Sequence, residues 1–209
     1  MIGLYAIVQG APPEAVGARG ERLRIVRRGA LEAVCGEEPP PLSAEALRAH
    51  EAAVRRIADA AQACLPARFG ACAADDASLS AALGEREAEL AEALLLVRGR
   101  EQMTLRVHGA PKASLPAGSG PGTRYLEERR QASHIPALGP LRSALSGVVR
   151  AERVESHGEP GLLASVYHLI DRGTSDRYRE LVEATALDDL RVTLTGPWPA
   201  WSFAPELGP

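Results

Sequence analysis

Residues 43–70 read SAEALRAHEAAVRRIADAAQACLPARFG, and their periodicity decides what kind of fold this chain adopts. Ser43 is an N-cap residue, and Leu47, His50, Val54, Ile57, Ala61 and Cys64 follow at steps of three and four. That spacing puts them on one stripe of a helix, with Arg48, Arg55, Arg56 and Asp59 on its other faces. Leu65-Pro66 stops the pattern, because the residue before a proline is pushed out of the helical region. Phe69 to Ala73 then reads as a short strand. A helix with one apolar stripe needs a sheet or another helix to cover it.

The sheet is legible on either side. Ile2 to Val8 is apolar at alternate and intervening positions, as expected of a central strand buried on both faces. Gly10-Ala11-Pro12-Pro13 ends it. Leu23–Arg28 and Ala30–Cys35 read as strands around a turn at Gly29, and Glu37 to Pro41 as a stiff connector. A second helix is expected from Ser78 to Arg98, with Leu79, Leu83, Leu90, Leu94 and Val97 inward and Gly99 as its stop. Gln102 to His108 alternates cleanly as a half-buried strand. Beyond it a helix is expected from Thr123 through Arg130. Another starts near Pro140 and carries Leu141, Leu145, Val148 and Val149. A strand follows at Leu162–Ile170, a helix at Ser175–Thr185 and a last strand at Leu190–Thr195. Strands and helices mix without strict alternation, so the fold class is α+β with helices packed on one face of each sheet. Two ferredoxin-like domains are expected, the second smaller and reduced. The boundaries fall at 1–109 for the N-terminal domain, 110–122 for a Gly/Pro-rich linker and 123–209 for the C-terminal domain with its tail.

With 209 residues the chain buries about 70% of its unfolded surface and needs neither metal nor disulfide to hold a core. Hydrophobic residues make up 45% and charged residues 24%, and the formal net charge is −3. No basic field exists to attract nucleic acid or an anionic membrane, which leaves protein as the expected partner. Cys35, Cys64 and Cys72 form no CxxC pair, and their odd number points to reduced thiols and a cytosolic location. Met1 to Gly10 has no basic leader and no cleavage pattern, so it reads as a strand and not a signal peptide. No stretch approaches the roughly 18 apolar residues of a membrane span.

Reactive chemistry is scarce. No GxGxxG, GxxxxGK[ST], GxSxG or HExxH occurs, and Gly118 to Gly122 lacks the strand and lysine of a phosphate loop. The five histidines share no ligand spacing. His50 on the helical stripe and His168 inside an apolar strand read as hydrogen-bonded core residues. A metal site from His50, Cys64 and Cys72 can be drawn, but a structural zinc wants four organised ligands. The acidic pairs Asp75-Asp76, Glu127-Glu128 and Asp188-Asp189 sit at helix starts or turns, where carboxylates complement the helix dipole. No cofactor is implied.

The tail is the unusual feature. The chain has eight aromatic residues, yet Trp198, Trp201 and Phe203 fall within six positions, interleaved with Pro197, Pro199 and Ala200. Gly196-Pro197-Trp198-Pro199 is expected to leave the sheet as a pre-ordered extended segment, since proline fixes φ and removes donors. Such a segment loses little entropy when its rings dock. It either folds back to staple its own domain or presents Gly196, Pro197, Trp198, Pro199, Trp201 and Phe203 to a protein partner.

These residues carry a resemblance. Leu194 to Phe203, LTGPWPAWSF, resembles the TGPWPPYSF ending of the gas vesicle protein F/L family, with Ala200 in place of a proline and Trp201 in place of a tyrosine. Gly3 to Val8 resembles the family's first strand, Leu65 to Gly70 its LP..FG turn and Gly122 to Leu126 its G..YL helix start. The matches span nearly the whole chain in the right order, with the segment from Arg130 to Pro140 abbreviated. The resemblance implies a non-enzymatic cytosolic accessory protein required for gas vesicle formation. It implies a place at the vesicle wall, on its gas-facing side, and binding to the small hydrophobic major shell protein and to other gas vesicle accessory proteins. It brings no catalytic residues and no cofactor. Two other classes stay open from the residues alone: a small-molecule-sensing regulatory protein of two ferredoxin-like domains, and an enzyme using Cys64 or Cys72 as nucleophile.

Overall fold

The computed structural model describes residues 1–10, 14–38, 41–109, 136–157, 161–187 and 190–206. The linker 110–122, the helix expected from Thr123 to Arg130, the Gly122–Leu126 match and the acidic pairs at 127–128 and 188–189 lie outside them. The chain is α+β and forms two compact units, Met1–Glu101 with Trp198–Pro209, and Gln102–Pro197.

In the first unit the strands are β1 (Ile2–Gln9), β2 (Arg24–Arg28), β3 (Leu31–Gly36), β4 (Ala63–Pro66) and β5 (Cys72–Ala73), and the helices α1 (Ala44–Ala60), α2 (Asp76–Glu85) and α3 (Glu87–Val97). The sheet order is β2-β3-β1-β4, with β5 also paired to β1, and all these pairs are antiparallel. Gly29 at φ +55° turns β2 into β3, a backbone angle that glycine adopts without strain. β1 is central and its residues Ile2 to Val8 are buried on both faces, as an unbroken apolar strand demands. Tyr5, Ala6 and Val8 join Val34, Ala53, Val54, Ile57 and Cys64 in one core beneath α1. On the other side α2 packs on β2 and α3 on β3 and β4. Their buried Leu79, Leu83, Leu90, Leu94 and Val97 stand apart from the α1 core. A second helical layer thus adds to the one expected.

The α1 stripe is shorter than its periodicity. Ser43 caps it, accepting from the Ala46 amide, but the helix ends at Ala60 and Cys64 lies in β4. At the other end Leu47 is 49% exposed, so the buried face begins at His50. The helix expected over 78–98 is two helices, α2 capped by Asp75 and α3 starting after Arg86, whose backbone leaves helical geometry. Gly84, a weak helix former, sits just before that break. β4 and β5 are one edge interrupted at Ala67–Ala71, where Gly70 takes φ +87°.

In the second unit the strands are β6 (Arg100–His108), β7 (Val149–Ser156), β8 (Leu162–Asp171) and β9 (Arg191–Trp198), with helices α4 (Gly139–Leu145) and α5 (Ser175–Glu183). Their order is β7-β8-β6-β9, the same permutation as β2-β3-β1-β4 and the order of a ferredoxin-like sheet. Its core gathers Met103, Leu105, Val107, Leu138, Leu141, Leu145, Val166, Ile170 and Tyr178.

Three differences from the sequence reading share one cause, that pairing partners are not written in local pattern. β6 hydrogen-bonds into the second sheet, and the compact units divide near its start, between Glu101 and Gln102. Val149 opens β7 instead of closing a helix, because a bulge between Val149 and Ala151 breaks the alternation that would mark a strand. β9 runs on through Gly196 and Pro197 to Trp198 instead of leaving the sheet. An edge strand tolerates proline, whose missing N–H then faces away from the ladder.

The exposures of α1 set a clear expectation for urea denaturation. Ile57→Ala should cost roughly 2–5 kcal/mol. Leu47→Ala should stay within about 0.5 kcal/mol.

Candidate functional site

The aromatic tail grows out of β9 and turns at once. The Trp201 amide donates to the Pro199 carbonyl (2.7 Å), and the Phe203 and Ala204 amides to Ala200 (3.0 and 3.1 Å). This turn drives Ala200 and Phe203 inward, Phe203 being 2% exposed, while Trp198 and Trp201 stay half-buried. Trp201 packs against the α1 core. The Arg55 guanidinium stands 4.6 Å from the Trp198 ring centroid, a cation–π geometry. Farther on, the Glu206 carbonyl accepts from Arg86 Nη1 (2.6 Å) and its carboxylate pairs with Arg68 (3.1 Å). Of the six tail residues singled out, Pro197 is exposed and Trp198, Trp201 and Gly196 are partly so, whereas Pro199 and Phe203 are buried. The tail is thus anchored by some of its rings and shows the sides of others. Arg55 was legible only as a residue off the apolar stripe; nothing local marks it as a partner of Trp198.

Two buried polar clusters were candidates for chemistry. In the first unit His50 Nε2–H donates to the Ala67 carbonyl (3.1 Å), its ring stacks on Tyr5 (4.9 Å) and Phe69 meets it edge-on (5.5 Å). Burial pushes His50 below its usual range, so the imidazole stays neutral. Tyr5 Oη donates to Glu21 Oε1 (2.7 Å) and accepts from the Ala18 amide (2.9 Å), and burial pushes Tyr5 up to about 12. Burial would raise Glu21 too, but the Tyr5 hydroxyl and backbone amides outweigh it and lower the carboxylate. The cluster pins the loop ahead of β2 and the Leu65–Gly70 turn to β1. His50 is therefore engaged with a carbonyl. Among the described residues no group of three or more His, Cys, Asp or Glu side chains has metal-holding geometry.

In the second unit Arg142, Glu152, His168 and Tyr178 form a chain. Arg142 Nη2 meets Glu152 Oε1 at 3.0 Å, His168 Nε2–H donates to Glu152 Oε2 (2.9 Å), and Tyr178 Oη donates to His168 Nδ1 (2.6 Å). The His168 hydrogen bond is the chief force holding Glu152 down at about 2. Burial works against it, and Arg142 adds to it. Burial raises Tyr178, which keeps its proton. His168 faces Glu152 in the β7–β8 register, a neighbour that only strand pairing reveals. Each polar group here faces a protein partner, and the chain runs from the buried Tyr178 and His168 out to Glu152 and Arg142 at the surface. Cys35, also buried, has its thiol pushed up to about 12 by desolvation, the opposite of an activated nucleophile.

Two sheets in the strand order of a ferredoxin-like fold, each with a polar cluster hydrogen-bonded within the protein, and an anchored aromatic tail are the features that define its class. A family model described as "Gas vesicle synthesis protein GvpL/GvpF" matches residues 2–205, and the chain belongs to that family. It is 29% identical over 245 aligned positions to gas vesicle protein L of Streptomyces sp. (strain CB03234), covering 96% of this chain and 91% of that one. Two solved structures share the fold. Gas vesicle protein GvpF from Microcystis aeruginosa superposes with a TM-score of 0.74 at 16% identity, covering 98% of both chains. GvpF from Anabaena sp. PCC7120 gives 0.73 at 14% identity, covering 98% of this chain and 95% of that one. No described helix is long and apolar enough to cross a membrane.

Phe203→Ala should destabilise the protein by roughly 3–5 kcal/mol, read by denaturant titration, as for other buried rings. Glu152 gives a pH signature. Its folded pKa of about 2 lies below the ordinary 4.5, so its stabilisation is complete above 4.5 and fades as pH falls towards 2. Glu152→Gln should therefore be less stable than wild type at pH 7, with the gap closing between pH 4.5 and 2.

Proposed function

We propose that this protein is a non-enzymatic accessory factor of gas vesicle assembly that binds the major shell protein through the outward sides of Trp198 and Trp201. The observation that supports the reading is the arrangement of the tail. Phe203, Ala200 and Pro199 anchor it, so Trp198 and Trp201 are held half-exposed with little entropy left to lose on binding. Partly exposed tryptophans beside an arginine, here Arg55, are the residue types that dominate protein–protein binding energy. Gly196 and Pro197 lead into the tryptophans along β9, and Pro199 and Phe203 act by fixing them from below.

Membership in a gas vesicle synthesis family makes the vesicle's own subunits the first partners to test. A small apolar shell subunit needs cover before it joins the wall, and a fixed aromatic surface supplies it. A net charge of −3 gives no pull towards nucleic acid. Other gas vesicle accessory proteins are second partners on the same grounds. On this reading the protein sits on the gas-facing side of the wall, and protease protection of intact vesicles checks that.

The test is a pull-down of the shell protein by Trp198→Ala and by Trp198→Ala/Trp201→Ala, done well below their melting temperatures. Trp198→Ala leaves the Trp201 packing in place, so it separates contact from folding. Binding should weaken at least tenfold in the single variant and vanish in the double. Full binding by a folded double variant overturns the assignment.

A further inference from the structure

β7 is the outer strand of the second sheet. β8 pairs with its inner side from Val149 to Ser156, and among the described residues no strand lies along its outer side. An open edge of eight residues is a template for another strand unless its side chains forbid it. β7 carries Arg150, Glu152, Arg153 and Glu155, so its four charges alternate in sign and sum to zero. A uniformly acidic or basic strand laid beside it would meet a like charge wherever it lay. A strand of the same pattern running the other way would not.

Geometry restricts how two copies can meet. Residues opposite one another in an antiparallel pair project to the same face of the sheet. The two-fold axis relating two copies must then stand normal to the sheet and pass through one residue facing its own copy. Centred on Glu152, Arg153 or Glu155, the pairing sets a charge against itself, which is unfavourable. Centred on Ala151, it sets Arg153 against Val149 and runs into the bulge between Val149 and Ala151, where the ladder is irregular. Centred on Val154, every opposition is favourable or neutral. Arg153 faces Glu155 of the second copy, Glu155 faces Arg153 of the second copy, Glu152 faces Ser156, and the half-buried Val154 faces itself.

The side chains are arranged for this register. Arg153 lies opposite Tyr167 and Glu155 opposite Ser165 on β8, so both project to the same face, away from the core that Val154 and Val166 share. Tyr167 Oη donates to Glu155 Oε2 (2.8 Å) and holds that carboxylate on the face where the second copy's arginine would arrive.

We propose that β7 is a self-pairing edge, and that two copies of this chain join antiparallel through it about a two-fold axis at Val154. Reciprocal Arg153–Glu155 ion pairs fix the register, and the two four-stranded sheets become one eight-stranded sheet. The dimer surface is distinct from the aromatic tail, and the proposal stands whether or not the tail binds the shell protein.

Light scattering on the purified full chain, over a range of concentrations at low salt, tests it. The wild type should approach about 44 kDa, twice the 22.1 kDa chain. Arg153→Glu and Glu155→Arg alone should each stay monomeric, since each puts like charges opposite one another. Mixed together, they should form a heterodimer, because the two carboxylates on the edge of the first variant then meet the two guanidinium groups on the edge of the second. The double exchange R153E/E155R should restore the homodimer. Recovery in the mixture also shows that neither single variant lost its fold. A wild type that stays monomeric at every concentration overturns the proposal, as does a dimer indifferent to both reversals.

Discussion

The burial of β1 on both faces is the constraint on which the first unit rests. A strand apolar at every position has no side to show to water, so the sheet around it must be covered above and below. One cover is α1 with the loop ahead of β2, held by the hydrogen bonds of Tyr5, Glu21 and the Ala18 amide. The other is the α2–α3 pair. The breaks in regular structure follow from fitting two layers to one strand. α1 stops at Ala60 so that the chain can return beside β1 as β4, and the edge then bulges at Gly70, where the turn carbonyl of Ala67 meets His50.

Much of this was legible in the sequence because it is local. The N-cap at Ser43, the turn at Gly29, the continuous apolar run of β1 and the clean alternation of β6 each depend on residues a few positions apart. The α+β class followed from them, and the tail, with the segments that match in order before it, carried the family. What could not be read depends on partners distant in the chain. β6 has the pattern of a half-buried strand wherever it pairs, and nothing in Gln102 to His108 says that its neighbours are β8 and β9. β7 was hidden by a bulge and by charges on an exposed edge. The stripe through Leu47 was periodic and yet exposed, because periodicity records which face is apolar and not how far the sheet beneath extends.

The candidate site divides along the same line. Tryptophan and proline in the tail announced an ordered aromatic segment, but which rings anchor and which show was decided by a turn at Pro199–Ala204 that no residue in it dictates. The buried histidines read correctly as core residues. Their partners differ, a backbone carbonyl for His50 and a carboxylate with a tyrosine for His168, and only strand pairing brings the second set together.

The first unit is discontinuous in the chain: Met1–Glu101 is completed by Trp198–Pro209, with the whole second unit threaded between. During synthesis the leading hundred residues emerge before Trp201 and Phe203 have been made, so the unit receives these two rings only after the intervening stretch is translated. A fragment that stops after α3 therefore lacks the segment whose Phe203 is buried and whose Trp201 packs on the α1 core. The two ends of the chain thus meet in one body, and the last piece of the first unit to be made is the segment after β9.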